Sequence, residues 1–529
     1  MSIEPVLING QWRQANHKAG TFHAVNPATG QELPEEFPIS DWADCDAALT
    51  AAAAAFSEMA TQPPSVVADF LEKYAQRLAD NAPAICAQAN LETALPVKPR
   101  LAEVEMPRTI NQLKAAAAAA REGTWRQATI DSAANIRSCY GPLGPVLVMG
   151  PNNFPLAFNG ISGGDFAAAL AAGNPVIAKA HPSHPRTSQL MAEQASEAAK
   201  AAGLPAGAVQ MIYKMPRAEG ERMMGDPRLA SAGFTGSRPA GMALKKVADA
   251  AGKPIYLEMS SVNPVVFLPN VVREKRADLV GELAGSALMG SGQFCTSPNL
   301  FVLFAGPDAE SFVSELKTQL ETRPVAPLLS EGVRETLADS VASLQKAGAE
   351  ILTGGQRAEA AGICFKNTLL RVSGKRFLEN PEKLQTEAFG NATLAVVVEN
   401  VDQAKQVAGH IEGSLTGCLY SAADGSDDKA YDAIAPILRR CVGRLLNDKM
   451  PTGVAVTAAM NHGGPFPATG HPGFTAVGIP ASLRRFAMLE CYDNTRPGRL
   501  PSWLQDAAPG GNMWRYIDGQ WTQGAVAKK

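Results

Sequence analysis

The spacing of apolar positions changes texture as the chain runs. From about residue 40 to 123, apolar residues recur at helical intervals, with Ala-rich runs at 51–55 and 115–120. That pattern predicts helix after helix, with Ser40 or Asp41 as the first N-cap. From Gly144, short apolar runs at 145–149, 175–178, 209–213, 230–234 and 254–257 alternate with Ala-rich amphipathic stretches. Such alternation predicts crossover units that build a parallel sheet. A second set of runs, at 264–268, 300–304, 393–398, 416–420 and 443–446, predicts a second α/β domain starting near residue 260. Leu7-Ile8-Asn9-Gly10-Gln11-Trp12 resembles Tyr516-Ile517-Asp518-Gly519-Gln520-Trp521, and Asn-Gly or Asp-Gly between apolar residues signals a hairpin turn. A small hairpin is expected at each end. No low-complexity linker separates the two halves, which implies close packing around a cleft.

Composition narrows the class. A chain of 529 residues has room for three or four domains of about 150 residues each, or for fewer large ones. Hydrophobic residues at 46% and charged residues at 19% fit a globular protein and exclude collagen-like, disordered or disulfide-scaffold classes. Lys+Arg 48 against Asp+Glu 51 leaves a formal charge of −3, so nucleic acid is not the expected partner. Met1-Ser2-Ile3-Glu4-Pro5 lacks the charge and apolar run of a signal peptide, and no stretch approaches the ~20 apolar residues of a membrane span. A cytoplasmic protein with no membrane partner is expected. The 8 cysteines stand singly, without CxxC pairs or a neighbouring His at ligand spacing. Neither a metal site nor a disulfide framework is therefore expected.

Some segments could carry chemistry. Gly292-Gln293-Phe294-Cys295-Thr296 sets a thiol between a predicted helix and a strand, where backbone N–H groups can activate it; inert packing is the alternative. Tyr256-Leu257-Glu258 ends an apolar strand in a carboxylate, where open α/β sheets place their sites. Low dielectric there would raise the Glu258 pKa toward that of a general base, whereas solvation or pairing with Lys253 is the bland reading. Pro151-Asn152-Asn153-Phe154-Pro155 is a loop stiffened by two prolines, and a fixed amide such as Asn153 can donate to a developing oxyanion. Phe234-Thr235-Gly236-Ser237 opens a predicted helix whose N–H groups could hold a phosphate, although the spacing is not GxGxxG.

Taken in order, these segments resemble the aldehyde dehydrogenase superfamily over about residues 5–500. The matching motifs are Asn153-Phe154-Pro155, Lys179-Ala180-His181-Pro182, Phe234 to Ser237, Glu258-Met259-Ser260-Ser261, Gln293-Phe294-Cys295 and Glu387-Ala388-Phe389-Gly390. The resemblance implies an α/β fold with a Rossmann-type cofactor domain (1–123 and 142–258), a catalytic domain (259–482) and a small β oligomerisation arm (124–141 and 483–529, including the tail). It implies Cys295 as nucleophile, Asn153 and the Cys295 N–H as oxyanion hole, and Glu258 as base for thioester hydrolysis. Lys179, Gly236, Ser237, Glu387 and Phe389 fall where the family holds its nicotinamide cofactor. The usual Gly-Gly after the Glu is Ser260-Ser261, the Pro after the Lys is Ala180, and Asn391 follows Gly390.

The combination resembles the subgroup of 2-oxoglutarate semialdehyde (2,5-dioxovalerate) dehydrogenases, and a related subgroup with similar turns oxidises fatty aldehydes. A catalytically silent binding relative is a third reading. Residues 179–184 contain no acid to accept from a ribose 2′-hydroxyl, and Arg217 resembles the base that meets a 2′-phosphate, so NADP is expected over NAD. An ω-aldehyde acid needs a cation for its far carboxylate, and Arg108 lies on the helix that lines the family's substrate tunnel. Pairing with Glu103 or Glu105 on the surface is the alternative for it. Phe154 and Phe466 match aromatic positions of that tunnel. The resemblance also implies a homodimer or homotetramer joined through strand arms at 125–140 and 483–493.

Overall fold

The computed structural model describes residues 3–16, 19–471 and 473–527. Five of the predicted apolar runs form the parallel strands Val146–Met149, Val176–Lys179, Val209–Ile212, Ser231–Thr235 and Ile255–Glu258. Val146–Met149 pairs with Val176–Lys179 on one side and with Ser231–Thr235 on the other. The chain thus winds outward in both directions from this strand, which opens a crevice at the carboxyl ends of the strands. Those ends carry the loop to Asn153, Lys179, the Thr235-Gly236 turn and Glu258.

The second set of runs supplies five strands of a second sheet, in the order Ala392–Val398, Leu300–Phe304, Val265–Phe267, Ser414–Tyr420 and Val442–Asn447, and two further strands, Thr368–Ser373 and then Glu350–Thr353, extend it beyond Ala392–Val398. All its neighbours are parallel except Glu350–Thr353. Central strands such as Ala392–Val398 and Ser414–Tyr420 are buried at every position, as expected when helices cover both faces. Each sheet centres its own apolar core, one including Val148, Ile177 and Phe166, the other Phe267, Phe301 and Phe312.

Both end hairpins form, on different sheets. Leu7 pairs with Met211 at the edge of the first sheet, and Tyr516-Ile517 pairs with Thr129-Ile130 in a separate five-stranded sheet. Asn9 and Gly10 (φ 51 and 70) and Asp518 and Gly519 (φ 48 and 87) adopt the left-handed turn that Asn-Gly and Asp-Gly favour. In the five-stranded sheet, Ala487–Asp493 pairs antiparallel with Ile136–Pro142 and forms one edge. Asp41 caps the first helix, Trp42–Met59, by accepting from the N–H groups of Ala43 and Asp44. Among the described residues, no helix is long and apolar enough to cross a membrane.

Candidate active site

Glu258 is the last residue of its strand and is buried. The strand end is tied to the loop after residue 461, because Met259 N–H donates to Ala468 O at 2.8 Å and Glu258 bridges Thr469. This loop brings His462 against the carboxylate, with Nε2 2.9 Å from Glu258 Oε1. The same Nε2 is 3.4 Å from Cys295 Sγ. Glu258 Oε2 is buried without a hydrogen-bond partner among the described residues, leaving a carboxylate oxygen available to a reactant. The three donor atoms lie within 4.8 Å of one another, a set that could also hold a soft divalent cation.

Cys295 follows helix Pro269–Leu288 through a turn in which Gly290, Ser291 and Gly292 all have positive φ. A Cβ on Gly292 would meet Gly390 O at 2.0 Å, so the nucleophile turn and the Glu387-to-Gly390 turn interlock at backbone contact. Asn263 Nδ2 donates to the carbonyls of Cys295 and Ser297, each at 2.9 Å, fixing the thiol-bearing loop. Cys295 is partly exposed, and desolvation, with Glu258 adding to it, pushes its thiol well above the ordinary value.

Asn153 Nδ2 donates to Gln293 O at 2.9 Å, placing the amide beside the thiol loop. Its own loop is held from behind. Arg100 donates to Asn153 O at 3.1 Å and pairs with Glu105, whose Oε1 accepts from Leu156 N–H at 2.8 Å and Ala157 N–H at 2.9 Å. Arg100 also lies 4.4 Å from the Phe154 ring centre. Neither Arg100 nor His462 stands out in the sequence: each is a single residue of common type outside any recognisable motif.

Beside the thiol, Phe154, Phe158, Phe294 and Phe474 form an aromatic cluster. Arg108 lies inside this wall, 4.9 Å from Phe158 and 5.5 Å from Phe154. The surface-pair alternative fails, since Glu103 pairs with Lys98 and Glu105 with Arg100. Instead, Arg108 Nε and one terminal nitrogen are buried without partners among the described residues, and desolvation lowers its pKa. Phe466 lies outside this buried cluster. It is 56% exposed, with Arg238 5.4 Å from its ring, and takes no part in the aromatic cluster. The close Gly443 and Gly463 backbones turn the loop so that His462, four residues earlier, faces the thiol.

On the other side of the first sheet's carboxyl edge lies a cavity of about 190 Å³ lined by Met149, Lys179, Met215, Arg217, Gly220 and Leu244. Burial and the nearby Lys214 lower the Lys179 pKa to about 8. Arg217 is exposed at the rim and bound to Glu221 at 2.8 Å. Gly236 N–H donates to Glu258 O at 3.1 Å, and a Cβ there would strike the Phe234 ring at 2.8 Å. Ser237 is the N-cap of helix Arg238–Ala250 and leaves its first N–H groups without a side-chain cap. Glu387 accepts from Ser261 N–H at 3.3 Å and is pushed up to about 7 by burial. Phe389 is half-buried two residues further along the same turn.

The family model described as Aldehyde dehydrogenase family matches residues 12–456. The chain belongs to this family. It is an oxidoreductase that acts on aldehydes. It is 36% identical over 503 residues to alpha-ketoglutaric semialdehyde dehydrogenase 2 of Azospirillum brasilense, covering 93% of this chain and 94% of the relative. It is 34% identical over 531 residues to alpha-ketoglutaric semialdehyde dehydrogenase of Acinetobacter baylyi, covering 98% of each. An aldehyde dehydrogenase structure from Bacillus cereus in an NAD+ complex superposes with a TM-score of 0.78 at 19% identity, over 93% of this chain and 97% of that one. This likeness establishes the fold.

Proposed function

We propose that this aldehyde dehydrogenase oxidises 2-oxoglutarate semialdehyde to 2-oxoglutarate with NADP, using NAD less well. The observation that carries the substrate is Arg108, whose Nε and one terminal nitrogen are buried without partners among the described residues, in an aromatic wall beside the thiol. Such a group needs an anion to complete it, and a carboxylate is the natural bidentate partner. The two alpha-ketoglutaric semialdehyde dehydrogenase relatives support the same substrate.

In this reading Cys295 attacks the aldehyde carbon, while Asn153 Nδ2 and the Cys295 N–H receive the charge that develops on oxygen. Glu258, with Oε2 free, then takes a proton from the water that hydrolyses the thioester. The nicotinamide cofactor, when bound, supplies the hydride acceptor. Lys179, the Gly236-Ser237 turn, Glu387 and Phe389 are its proposed contacts, and Lys179 with Arg217 would meet a 2′-phosphate. The cavity at Lys179 and the uncapped N-terminus of helix Arg238–Ala250 fit an anionic dinucleotide. Residues 1–123 and 142–258 are proposed as the cofactor domain and 259–482 as the catalytic domain, with 124–141 and 483–529 as the arm of a homo-oligomer.

The test is initial rates of reduced-cofactor formation with NADP and NAD, on 2-oxoglutarate semialdehyde and on octanal. Wild type is expected to favour NADP and the semialdehyde acid, and Cys295→Ala to abolish turnover. Arg108→Met should raise KM for the acid about 10- to 100-fold, the worth of a charged hydrogen bond, and leave octanal unaffected. An unchanged KM for the acid would remove Arg108 as anchor, and preference for octanal would replace the substrate.

A further inference from the structure

The pair Ser260-Ser261, which stands where the family usually has Gly-Gly, takes no part in the chemistry above. It lies on the segment that carries the chain from the first sheet into the second, between strands Ile255–Glu258 and Val265–Phe267. Ser261 is buried, and its hydroxyl has two partners of opposite kind. Oγ accepts at 2.9 Å from the N–H of Leu415, in strand Ser414–Tyr420, and lies 2.8 Å from Asn263 Oδ1. A hydroxyl that accepts from an N–H still has its own proton to give. That proton goes to Asn263 Oδ1, which Thr416 Oγ1 also approaches at 2.9 Å.

The oxygen and nitrogen of an asparagine amide are alike in shape, so their surroundings decide which way the amide faces. Hydroxyl protons on Oδ1 turn Nδ2 the other way, and there it meets the carbonyls of Cys295 and Ser297, each at 2.9 Å. Of the two hydroxyls, that of Ser261 decides the direction. The Thr416 hydroxyl could rotate to accept from an amide nitrogen as readily as it donates to an amide oxygen, whereas the Ser261 hydroxyl is already committed by the Leu415 N–H, which can only donate. Asn263 itself is buried, with φ 49, a left-handed backbone that asparagine tolerates. Hydrogen bonds thus run from the second sheet through Ser261 and Asn263 to the peptide that follows the thiol-bearing carbon. From the same residue the Ser261 N–H donates to Glu387 Oε1 at 3.3 Å.

We propose that Ser261 is a positioning residue for aldehyde oxidation: its hydroxyl orients the Asn263 amide, and that amide holds the Cys295 loop where the thiol meets the aldehyde. The inference rests on Cys295 being the nucleophile. The loop needs such a support, because it is entered through Gly290, Ser291 and Gly292, all at positive φ, and the two glycines bring wide conformational freedom. Before the thiol, Asn153 Nδ2 holds Gln293 O; after it, Asn263 holds Cys295 O. A glycine at 261 would leave the Leu415 N–H without its acceptor and Asn263 Oδ1 with one donor fewer. Reversal of the amide would then set Oδ1 against the Cys295 carbonyl, oxygen against oxygen, and release the loop. Misplacing a reacting group by about 1 Å costs rate more than affinity.

The experiment separates the two contacts of Ser261. Ser261→Ala and Ser261→Gly remove the hydroxyl and keep the N–H that reaches Glu387. Turnover is measured in the full-length enzyme on 2-oxoglutarate semialdehyde or on octanal, whichever wild type uses better. In both variants kcat should fall about tenfold, the worth of one buried hydrogen bond, while KM for the aldehyde and the affinity for NADP by isothermal titration stay within about twofold of wild type. Hydrogen exchange read by mass spectrometry should rise in the peptide spanning 290–298. Ser261→Thr, which keeps the hydroxyl, should recover most of the lost kcat. Unchanged kcat with unchanged exchange at 290–298 would overturn the proposal. So would a loss of kcat matched by weaker NADP binding and by faster exchange throughout the molecule, the signature of a role in folding alone. Turnover that persists in Cys295→Ala would instead remove the nucleophile assignment, and the inference with it.

Discussion

Lys179 shows how one buried charge can tie cofactor use to pH. Its ammonium is disfavoured by burial and by Lys214, so it loses its proton near pH 8 in the free enzyme. The direction follows from which form binds: the charged form attracts a 2′-phosphate, and the neutral form does not. NADP affinity should therefore hold below pH 8 and decline as pH rises through it. Bound phosphate would itself favour the ammonium and move the midpoint upward by linkage. Isothermal titration of NADP against NAD between pH 6.5 and 9.5 checks this, and a flat ratio of the two affinities would exclude Lys179 from the phosphate site. Arg217 belongs to the same balance. Its link to Glu221 at 2.8 Å is an exposed i,i+4 pair of small worth, so a phosphate can displace the glutamate at little cost. Arg217→Ala should lower kcat/KM with NADP by about tenfold and leave NAD unchanged.

At the level of elements, the oxyanion amide depends on a loop held from the opposite face by helix Met106–Glu122 and the segment before it. Glu105 is fully buried and serves two masters, the Arg100 guanidinium and the N–H groups of Leu156 and Ala157. Glu105→Gln keeps an acceptor for those N–H groups but leaves the Arg100 charge without its partner. Removing one member of a buried pair costs about 3–5 kcal/mol, so a lower melting temperature and a lower kcat are expected together. A normal kcat in a destabilised variant would separate the loop from catalysis. The same elements show what the sequence could and could not disclose. Most parallel strands were legible because burial on both faces writes an unbroken apolar run, whereas Thr368–Ser373, interrupted by Arg371, was not; Glu258 and Cys295 were legible because each ends or precedes such a run. Strands Thr21–Asn26 and Gln31–Pro38 were not, since Gln31-Glu32-Leu33-Pro34-Glu35-Glu36 has neither alternation nor an apolar run. Position 462 carries no such signal, because the loop's path is set by glycine backbone contacts that leave no periodic pattern.

For the whole molecule, strand Ala487–Asp493 at one edge of the five-stranded sheet offers a surface for assembly. Among the described residues Ala487–Asp493 pairs on one side only and leaves Met488 at 48% and Leu489 at 62% exposure, with Ile136, the partner of Asp493, at 40%. An exposed apolar edge strand is a template for pairing, and proteins ordinarily blunt such edges with charge, proline or a covering element. Glu490 and Asp493 supply charge here, but no proline interrupts the strand. A second copy of the chain that continues the sheet would bury these residues and satisfy the edge N–H and C=O groups together. The homo-oligomer proposed for this enzyme therefore has a testable contact. Leu489→Lys, placed at the most exposed apolar position of the edge, should shift the species seen by analytical ultracentrifugation toward a smaller assembly. Because Glu258 ends a strand of the first sheet and Cys295 lies on a loop outside the five-stranded sheet, aldehyde oxidation by that variant should keep the wild-type rate. A variant that dissociates and also loses activity would mean that assembly, and not only the local fold, holds the thiol and the carboxylate in place.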